Sequence, residues 1–433
     1  MDIISLYTKF VNCKQNITTD TRKITKDCIY FALKGERFNG NDFAEQAIKE
    51  GASYAIVDDI SLPKNDHYIF VEDVLNALQQ LANYHRKQLH IPVIGITGSN
   101  GKTTTKELIH AVLSTKYNTQ YTQGNLNNHI GVPLTLLTIT PQHQIAVIEM
   151  GANHQQEIDM LCRIAEPDFG IITNIGKAHL EGFGGIEGVK KGKSELYKYL
   201  LTKNGTVFLH GDDEVLADLA KENNKVTYGT NKLYDIVGKC NKNSLFVELA
   251  WRTRSKASEL KNADYIKTNL VGIYNYNNTL CAACVGNYFK VEEDLINQAI
   301  QNYTPNNNRS QLKQTNNNTL ILDYYNANPN SMQAAINNFY DTDAPAKMLI
   351  LGDMLELGAE SMTEHQAIIA LLNKKQLNDY LLVGPIFSSL QKEKSFATAK
   401  QAFEFLQANP VKNKTILIKG SRGIALEEVV KTL

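Results

Sequence analysis

The chain has 433 residues, enough for two to three domains, and its 45 Lys+Arg balance 45 Asp+Glu to a formal net charge of zero. That balance leaves no broad basic field for nucleic acid or anionic lipid, so a bound anion must be caught by a local device. No apolar run reaches membrane-spanning length and Met1-Asp2-Ile3-Ile4-Ser5 opens no basic-then-apolar leader, so a cytoplasmic protein is expected.

Residues 1–82 read as a small α/β unit, with strands at 29–33 and 54–57 and a helix over 43–49. The polar loop between the first strand and the helix holds Gly35, Arg37 and Gly40, and Asp20-Thr21-Arg22 lies upstream. Arg and Gly beside strand ends suit a phosphorylated ligand, although a merely solvated loop is the commoner case. A helix over 74–87 then leads to an apolar run at 91–96, which stops at Thr97-Gly98-Ser99-Asn100-Gly101-Lys102-Thr103-Thr104 before a helical pattern resumes. Spaced glycines let the backbone curl so that successive N–H groups face one centre. A lysine and hydroxyls follow at the start of a helix whose dipole favours an anion. The turn is predicted to cradle nucleotide phosphates. It is shorter than G-x-x-x-x-G-K-[ST], because the first glycine of that pattern would fall on Ile96.

Helix and strand keep alternating beyond the turn, with strands at 146–148, 170–173 and 207–209. This predicts a doubly wound, mostly parallel sheet with ligands at its strand ends. Residues 232–271 read as antiparallel strands added to the edge, and helices resume over 276–288 and 292–303. Cys281 and Cys284, one helical turn apart among alanines, read as small buried residues, and the six scattered cysteines as reduced thiols. After the linker Thr304-Pro305-Asn306-Asn307-Asn308 the alternation predicts a third, Rossmann-like domain without a G-x-G-x-x-G turn. The fold class expected is α/β in three domains: 1–82, 83–305 with a central P-loop-type sheet, and 306–433.

Several strand ends carry chemistry. Glu149, in Ile148-Glu149-Met150-Gly151, is placed to hold a phosphate-bound Mg²⁺ with Thr103 as companion hydroxyl. His179 lies in a Gly-rich loop after the strand at 170–173, a candidate ligand or acid/base. Lys190, Lys191 and Lys193 open the next helix, and composition does not select among them. Asn125, Asn127 and Asn128, and then Asn275, Asn277 and Asn278, suit amide or purine edges and suit helix caps equally. Asp323 to Asn328 and Asp353 to Glu356 follow successive strands and are expected to form one rim of a site.

With these motifs in order, the chain resembles the Mur ligase family over almost its whole length. The likeness rests on Asp20-Thr21-Arg22, the loop at 33–40, the shortened cradle, Asn125 to Pro133, and Glu149-Met150-Gly151. It continues through Thr173-Asn174-Ile175-Gly176-Lys177-Ala178-His179-Leu180-Glu181, Asn326-Ala327-Asn328-Pro329, Gly352-Asp353-Met354-Leu355-Glu356-Leu357-Gly358 and Lys419-Gly420-Ser421-Arg422-Gly423. The Asn-Ala-Asn-Pro and Gly-Asp-Met-Leu-Glu-Leu-Gly segments resemble the branch that adds D-alanyl-D-alanine to UDP-N-acetylmuramoyl-tripeptide. The Asp-Asn-Pro-Arg motif of the diaminopimelate-adding branch is absent.

The resemblance implies an ATP-dependent amide ligase of peptidoglycan precursor synthesis, with those two substrates as partners and neither nucleic acid nor membrane; a monomer is expected. It implies that Gly98, Ser99, Asn100, Gly101, Lys102, Thr103 and Thr104 bind ATP, with Lys102 on the β- and γ-phosphates. Thr103 and Glu149 would hold one Mg²⁺, and His179 and a carbamylated Lys193 a second. Lys102, His179 and Lys193 would be the catalytic groups. Asn275 and Asn278 would sit on the adenine side, Arg309 on a phosphate and Asp323 on the nucleotide. Thr21 and Arg22 would contact the UDP-sugar, and Asn125 and Asn128 the substrate. The chain departs from the family pattern at Tyr274, where His is usual, at Leu322 and Tyr324 around Asp323, and at the asparagines that replace glycine before Arg309.

Overall fold

The structure, a computed structural model, describes residues 2–242 and 244–433; Met1 and Asn243 lie outside it. The described residues build three α/β units, each around its own mostly parallel sheet. The first sheet runs Ile17–Thr18, Ile29–Phe31, Tyr54–Val57, Tyr68–Phe70, all parallel. The helix expected at 43–49 is shorter, Ala44–Lys49. The Asn39 side chain accepts from the Asn41 N–H and holds Gly40–Phe43 in a tight turn ahead of it.

The helix Val74–Gln88 starts on an Asp73 cap and contains residue 82. It packs on Ile3–Asn12 of the first unit and on Gly131–Leu137 and Glu157–Ala165 of the second. Arg86 donates to the carbonyls of Ala165 at 3.0 Å and Glu166 at 2.9 Å and pairs with Asp168 at 3.0 Å. Saturating the guanidinium this way ties the helix to the central unit.

Among the described residues the central sheet has nine strands. Its order is Ile266–Val271, Phe246–Thr253, Ile236–Cys240, Asn224–Gly229, Thr206–His210, Phe169–Ile172, Val93–Thr97, Ile145–Glu149, Thr119–Tyr121. The edge strands Phe246–Thr253 and Ile266–Val271 are antiparallel, as expected from 232–271, and the rest are parallel. Val93–Thr97 is buried along its whole length, because helices cover both faces of a parallel sheet. It lies between Phe169–Ile172 and Ile145–Glu149, so the strand order reverses where Thr97, Glu149 and Ile172 end. A crevice at such a switch point is where an α/β sheet takes its ligand.

The third sheet runs Gln311–Gln314, Thr319–Asp323, Thr415–Lys419, Lys347–Gly352, Tyr380–Val383, Ser395–Phe396, with only the first strand antiparallel. Its helix Pro329–Asp341 opens on a capping box between Asn328 and Ser331, and Asn328 also donates to Asn100 of the cradle at 2.7 Å. Among the described residues no helix is long and apolar enough to cross a membrane.

Candidate active site

The cradle curls because two of its glycines take positive φ, +136° at Gly98 and +79° at Gly101. A Cβ on Gly98 would lie 2.0 Å from Thr173 Oγ1, and one on Gly101 2.7 Å from Asn278 Oδ1, so close neighbours as well as backbone angle require glycine. The neighbouring strand end locks the turn: the Asn174 carbonyl accepts from Ser99 N–H at 3.0 Å and its side chain from Asn100 N–H at 3.1 Å. The helix Lys102–Leu113 starts directly from Gly101.

Lys102 folds back over the turn and donates to the Gly98 carbonyl at 2.7 Å. Loss of water around its ammonium, with Arg309 acting in the same sense and Glu149 against it, brings Lys102 down to about 8. Thr103 donates from Oγ1 to Glu149 Oε1 at 3.2 Å, and Asn127 donates to the same oxygen at 2.8 Å. Glu149 Oε2 is buried without a hydrogen-bond partner, and Lys106 Nζ stands 3.7 Å from it. A buried carboxylate oxygen without a hydrogen bond, beside the Thr103 hydroxyl at the start of the cradle helix, fits a hard divalent cation. No three His, Cys, Asp or Glu side chains gather into a cage among the described residues, so such a cation would complete its shell with phosphate oxygens and water.

The structure also brings in Lys106, to which the sequence pattern assigns no role. It is fully buried, and burial lowers its pKa although Glu149 and Glu107 pull the other way. The signal was there: it follows Lys102 by one helical turn and so shares its face.

Of the lysines at 190–193, the structure buries Lys193, at 1 % exposure, while Lys191 is exposed. Lys193 donates to the Ala152 carbonyl at 3.0 Å and lies 4.9 Å from the centre of the Phe183 ring. Burial first, then the charge of Lys102, pushes it well below the ordinary lysine range despite Glu157 and Glu195. His179, at φ +53°, brings Nδ1 to 2.5 Å from Glu356 Oε2 of the third domain. Nearby, Lys177 N–H donates to Asn330 Oδ1 at 2.7 Å and its ammonium pairs with Glu364.

Several of these groups line two adjoining cavities, although Lys193 and Lys106 line neither. One, about 380 Å³, is lined by Lys102, Thr103, Asn125, Asn128, Glu149 and His179. The other, about 270 Å³, is lined by Asn275, Asn278, Asp323 and Tyr274 beside Asn100 and Gly101. Arg309 lines both, its guanidinium 3.9 Å from the centre of the Tyr325 ring. Asn278 donates to Asn275, and Asn275 donates to Ser310 Oγ at 3.1 Å. Asp323 accepts from Lys419 at 2.7 Å and from the Ser310 N–H at 3.1 Å. Tyr274, at the departure from histidine, meets Ser310 Oγ at 2.9 Å.

Two expectations fare differently. Thr21 and Arg22 line neither cavity; Arg22 is exposed and bonded to Asp20, whose carboxyl it holds down at about 2. Asp353 is not on the rim. It is fully buried and accepts from the backbone of Ile386 at 2.8 Å and Phe387 at 2.9 Å, with His365 at 3.6 Å. The rim position belongs to Glu356 from the same segment.

Comparison with known proteins follows the same three units. The Mur ligase family, catalytic domain matches residues 15–86, the Mur ligase middle domain residues 96–286, and the Mur ligase, glutamate ligase domain residues 308–422. A UDP-N-acetylmuramoyl-tripeptide–D-alanyl-D-alanine ligase of Bacillus subtilis is 36% identical, covering 96% of this chain and 92% of that protein. One from Escherichia coli is also 36% identical, covering 96% and 93%. A crystal structure of MurF from Acinetobacter baumannii superposes with a TM-score of 0.83 at 30% identity, over 98% of this chain and 97% of that one. MurF from Thermotoga maritima, solved in complex with ADP, gives 0.83 at 26% identity over 97% of each chain. The chain belongs to the Mur ligase family.

Proposed function

We propose that the chain is an ATP-dependent amide ligase that joins D-alanyl-D-alanine to the terminal carboxylate of UDP-N-acetylmuramoyl-tripeptide, a cytoplasmic step of peptidoglycan precursor synthesis. Relatives of that name cover nearly the whole chain on both sides of the comparison. The observation that supports the chemistry is Oε2 of Glu149, buried without a hydrogen bond close to Thr103 at the start of the cradle helix. The proposed division of labour gives residues 1–82 the UDP-sugar, through Thr21 and Arg22, and residues 83–305 the ATP. Residues 306–433 close the site, and the enzyme acts as a monomer.

A carboxylate is no electrophile, so it must first be activated. Its oxygen attacks the γ-phosphorus of ATP, ADP leaves, and an acyl phosphate results. The free amine of D-alanyl-D-alanine then adds to the acyl carbon, and the tetrahedral intermediate expels phosphate to leave the amide. The cradle N–H groups and Lys102 neutralise charge that builds on the phosphates, which is most of what phosphoryl transfer asks of a protein. Asn275 and Asn278 hold the adenine side, Arg309 a phosphate, and Asn125 and Asn128 the tripeptide end. Thr103 and Glu149 would hold one Mg²⁺, and His179 and Lys193 a second; bound there, the metal supplies Lewis-acid charge stabilisation. A neutral amine is the form of lysine that takes up CO₂, and the burial of Lys193 supports its carbamylation. Tyr325 and Asn326 of the third domain help wall the larger cavity, where they keep water from the acyl phosphate.

The test is ADP release by the purified chain. Turnover must require both UDP-muramoyl-tripeptide and D-alanyl-D-alanine. Equal turnover without them would make the protein an ATP-hydrolysing switch, and activity with a single amino acid would make it a sister ligase. Comparing diaminopimelate- and lysine-containing tripeptides then fixes the natural acceptor.

A further inference from the structure

Arg309 has a long side chain and no regular secondary structure around it, yet it lines both cavities. Left loose, such a side chain gives up much of its binding energy to ordering. The backbone around it is unusual: Asn308 at φ +56° and Ser310 at φ +53° both sit in the left-handed region. Asparagine enters that region more readily than other residues with a Cβ, which accounts for its presence where the family has glycine. Such a conformation persists only when neighbours over-determine it.

Downstream the determinants are plain, because Ser310 is held by Asp323, Tyr274 and Asn275. Upstream the hold comes from the cradle helix. Asn307 Nδ2 donates to both oxygens of Glu107, at 3.1 Å each, and Tyr303 donates its hydroxyl to Glu107 Oε2 at 2.6 Å. Lys106 Nζ stands 3.8 Å from Glu107 Oε1. We propose that Glu107 is a positioning residue: by clamping Tyr303 and Asn307 to the helix that bears Lys102 and Thr103, it fixes Arg309 against the nucleotide phosphates. Cradle and arginine then approach the phosphates as one rigid unit. The inference rests on the reading of Arg309 as a nucleotide contact.

The test is a double-mutant cycle on the full chain, reading the Kd of a non-hydrolysable ATP analogue by calorimetry. Glu107→Ala and Arg309→Ala are each expected to weaken binding about tenfold, the usual scale for a lost charged hydrogen bond. The double variant is expected to bind no more weakly than Arg309→Ala alone, since Glu107 acts through Arg309. Glu107→Gln, which keeps an acceptor oxygen, is expected to restore most of the affinity. Fully additive losses would overturn the clamp and leave Arg309 as a nucleotide contact. An unchanged Kd in Arg309→Ala would remove that contact and the clamp with it. If Glu107→Ala does not fold, Asn307→Ala run through the same cycle decides, with the same non-additivity expected.

Discussion

Glu149 ends the strand Ile145–Glu149 and is followed by Met150; Asp353 follows the strand Lys347–Gly352 and is followed by Met354. Both lie at the C-terminal ends of parallel strands, in sheets of similar build, and both are buried, at 1 % and 0 % exposure. Their hydrogen bonding separates them. Asp353 gives both oxygens to backbone donors at the start of the helix Pro385–Leu390 and packs beside His365. Burial raises the pKa of Asp353 and lowers that of His365. The histidine donates Nδ1–H to the Ser361 carbonyl and accepts from the Met354 N–H, the pattern of a neutral ring. Glu149 spends one oxygen on Thr103 and Asn127 and keeps the other without a hydrogen bond, with Lys106 Nζ at 3.7 Å. A buried acid with both oxygens hydrogen-bonded to backbone holds a fold together, whereas one with an oxygen left without a hydrogen bond can still take up a ligand.

The largest way to break that contrast is Glu149→Gln. ADP formation is expected to fall about 10³-fold, and the melting temperature only by what the buried Lys106, 3.7 Å away, loses as its counter-charge is removed. An active Glu149→Gln enzyme would erase the contrast. Asp353→Asn is the mirror experiment: it turns an acceptor toward backbone N–H groups into a donor and should cost about 3 kcal/mol in denaturant unfolding. The protein that remains folded should keep its KM for ATP. Lys193→Arg comes next, with an expected loss of about 10²-fold in kcat, since a guanidinium takes up no CO₂. Full activity there would end the carbamylation reading.

A smaller effect follows from Lys102. Its pKa near 8 in the free protein means it is charged below that pH and neutral above it. Bound phosphates favour the charged form, so nucleotide affinity is present below pH 8 and lost as pH rises through it, by about tenfold between pH 7 and 9. Titrating ADP at both pH values measures this, and a flat profile would show that Lys102 does not meet the phosphates. The smallest expected change is at Asn308→Gly. The left-handed backbone tolerates glycine, so stability should move by about 0.5 kcal/mol or less, while Asn308→Val should destabilise the linker measurably.

The architecture was legible wherever periodicity was strong. The cradle, the central alternation and the antiparallel edge at 232–271 all stand out in the sequence, and the structure contains them. Short elements were not: Thr119–Tyr121 has three residues, too few for an alternation to register. The helix expected over 43–49 begins one residue later, because the Asn39 cap holds Phe43 in the tight turn ahead of it. Lys193 could be told from Lys190 and Lys191 only by burial, and Lys106 only by the face it shares with Lys102.

By itself the sequence predicted a turn that cradles nucleotide phosphates, and the order of its motifs pointed to its family. A Gly-rich turn between strand and helix is a local device whose parts are contiguous, so it can be read from neighbours along the chain. Tertiary structure alone decided which of two similar strand-end acids keeps a free oxygen, and that His179 faces Glu356 across the domain boundary. It also decided that Glu107 reaches the linker at Asn307, 200 residues further on. Whether a buried polar group is satisfied depends on partners far away in sequence, and those meet only when the chain has folded.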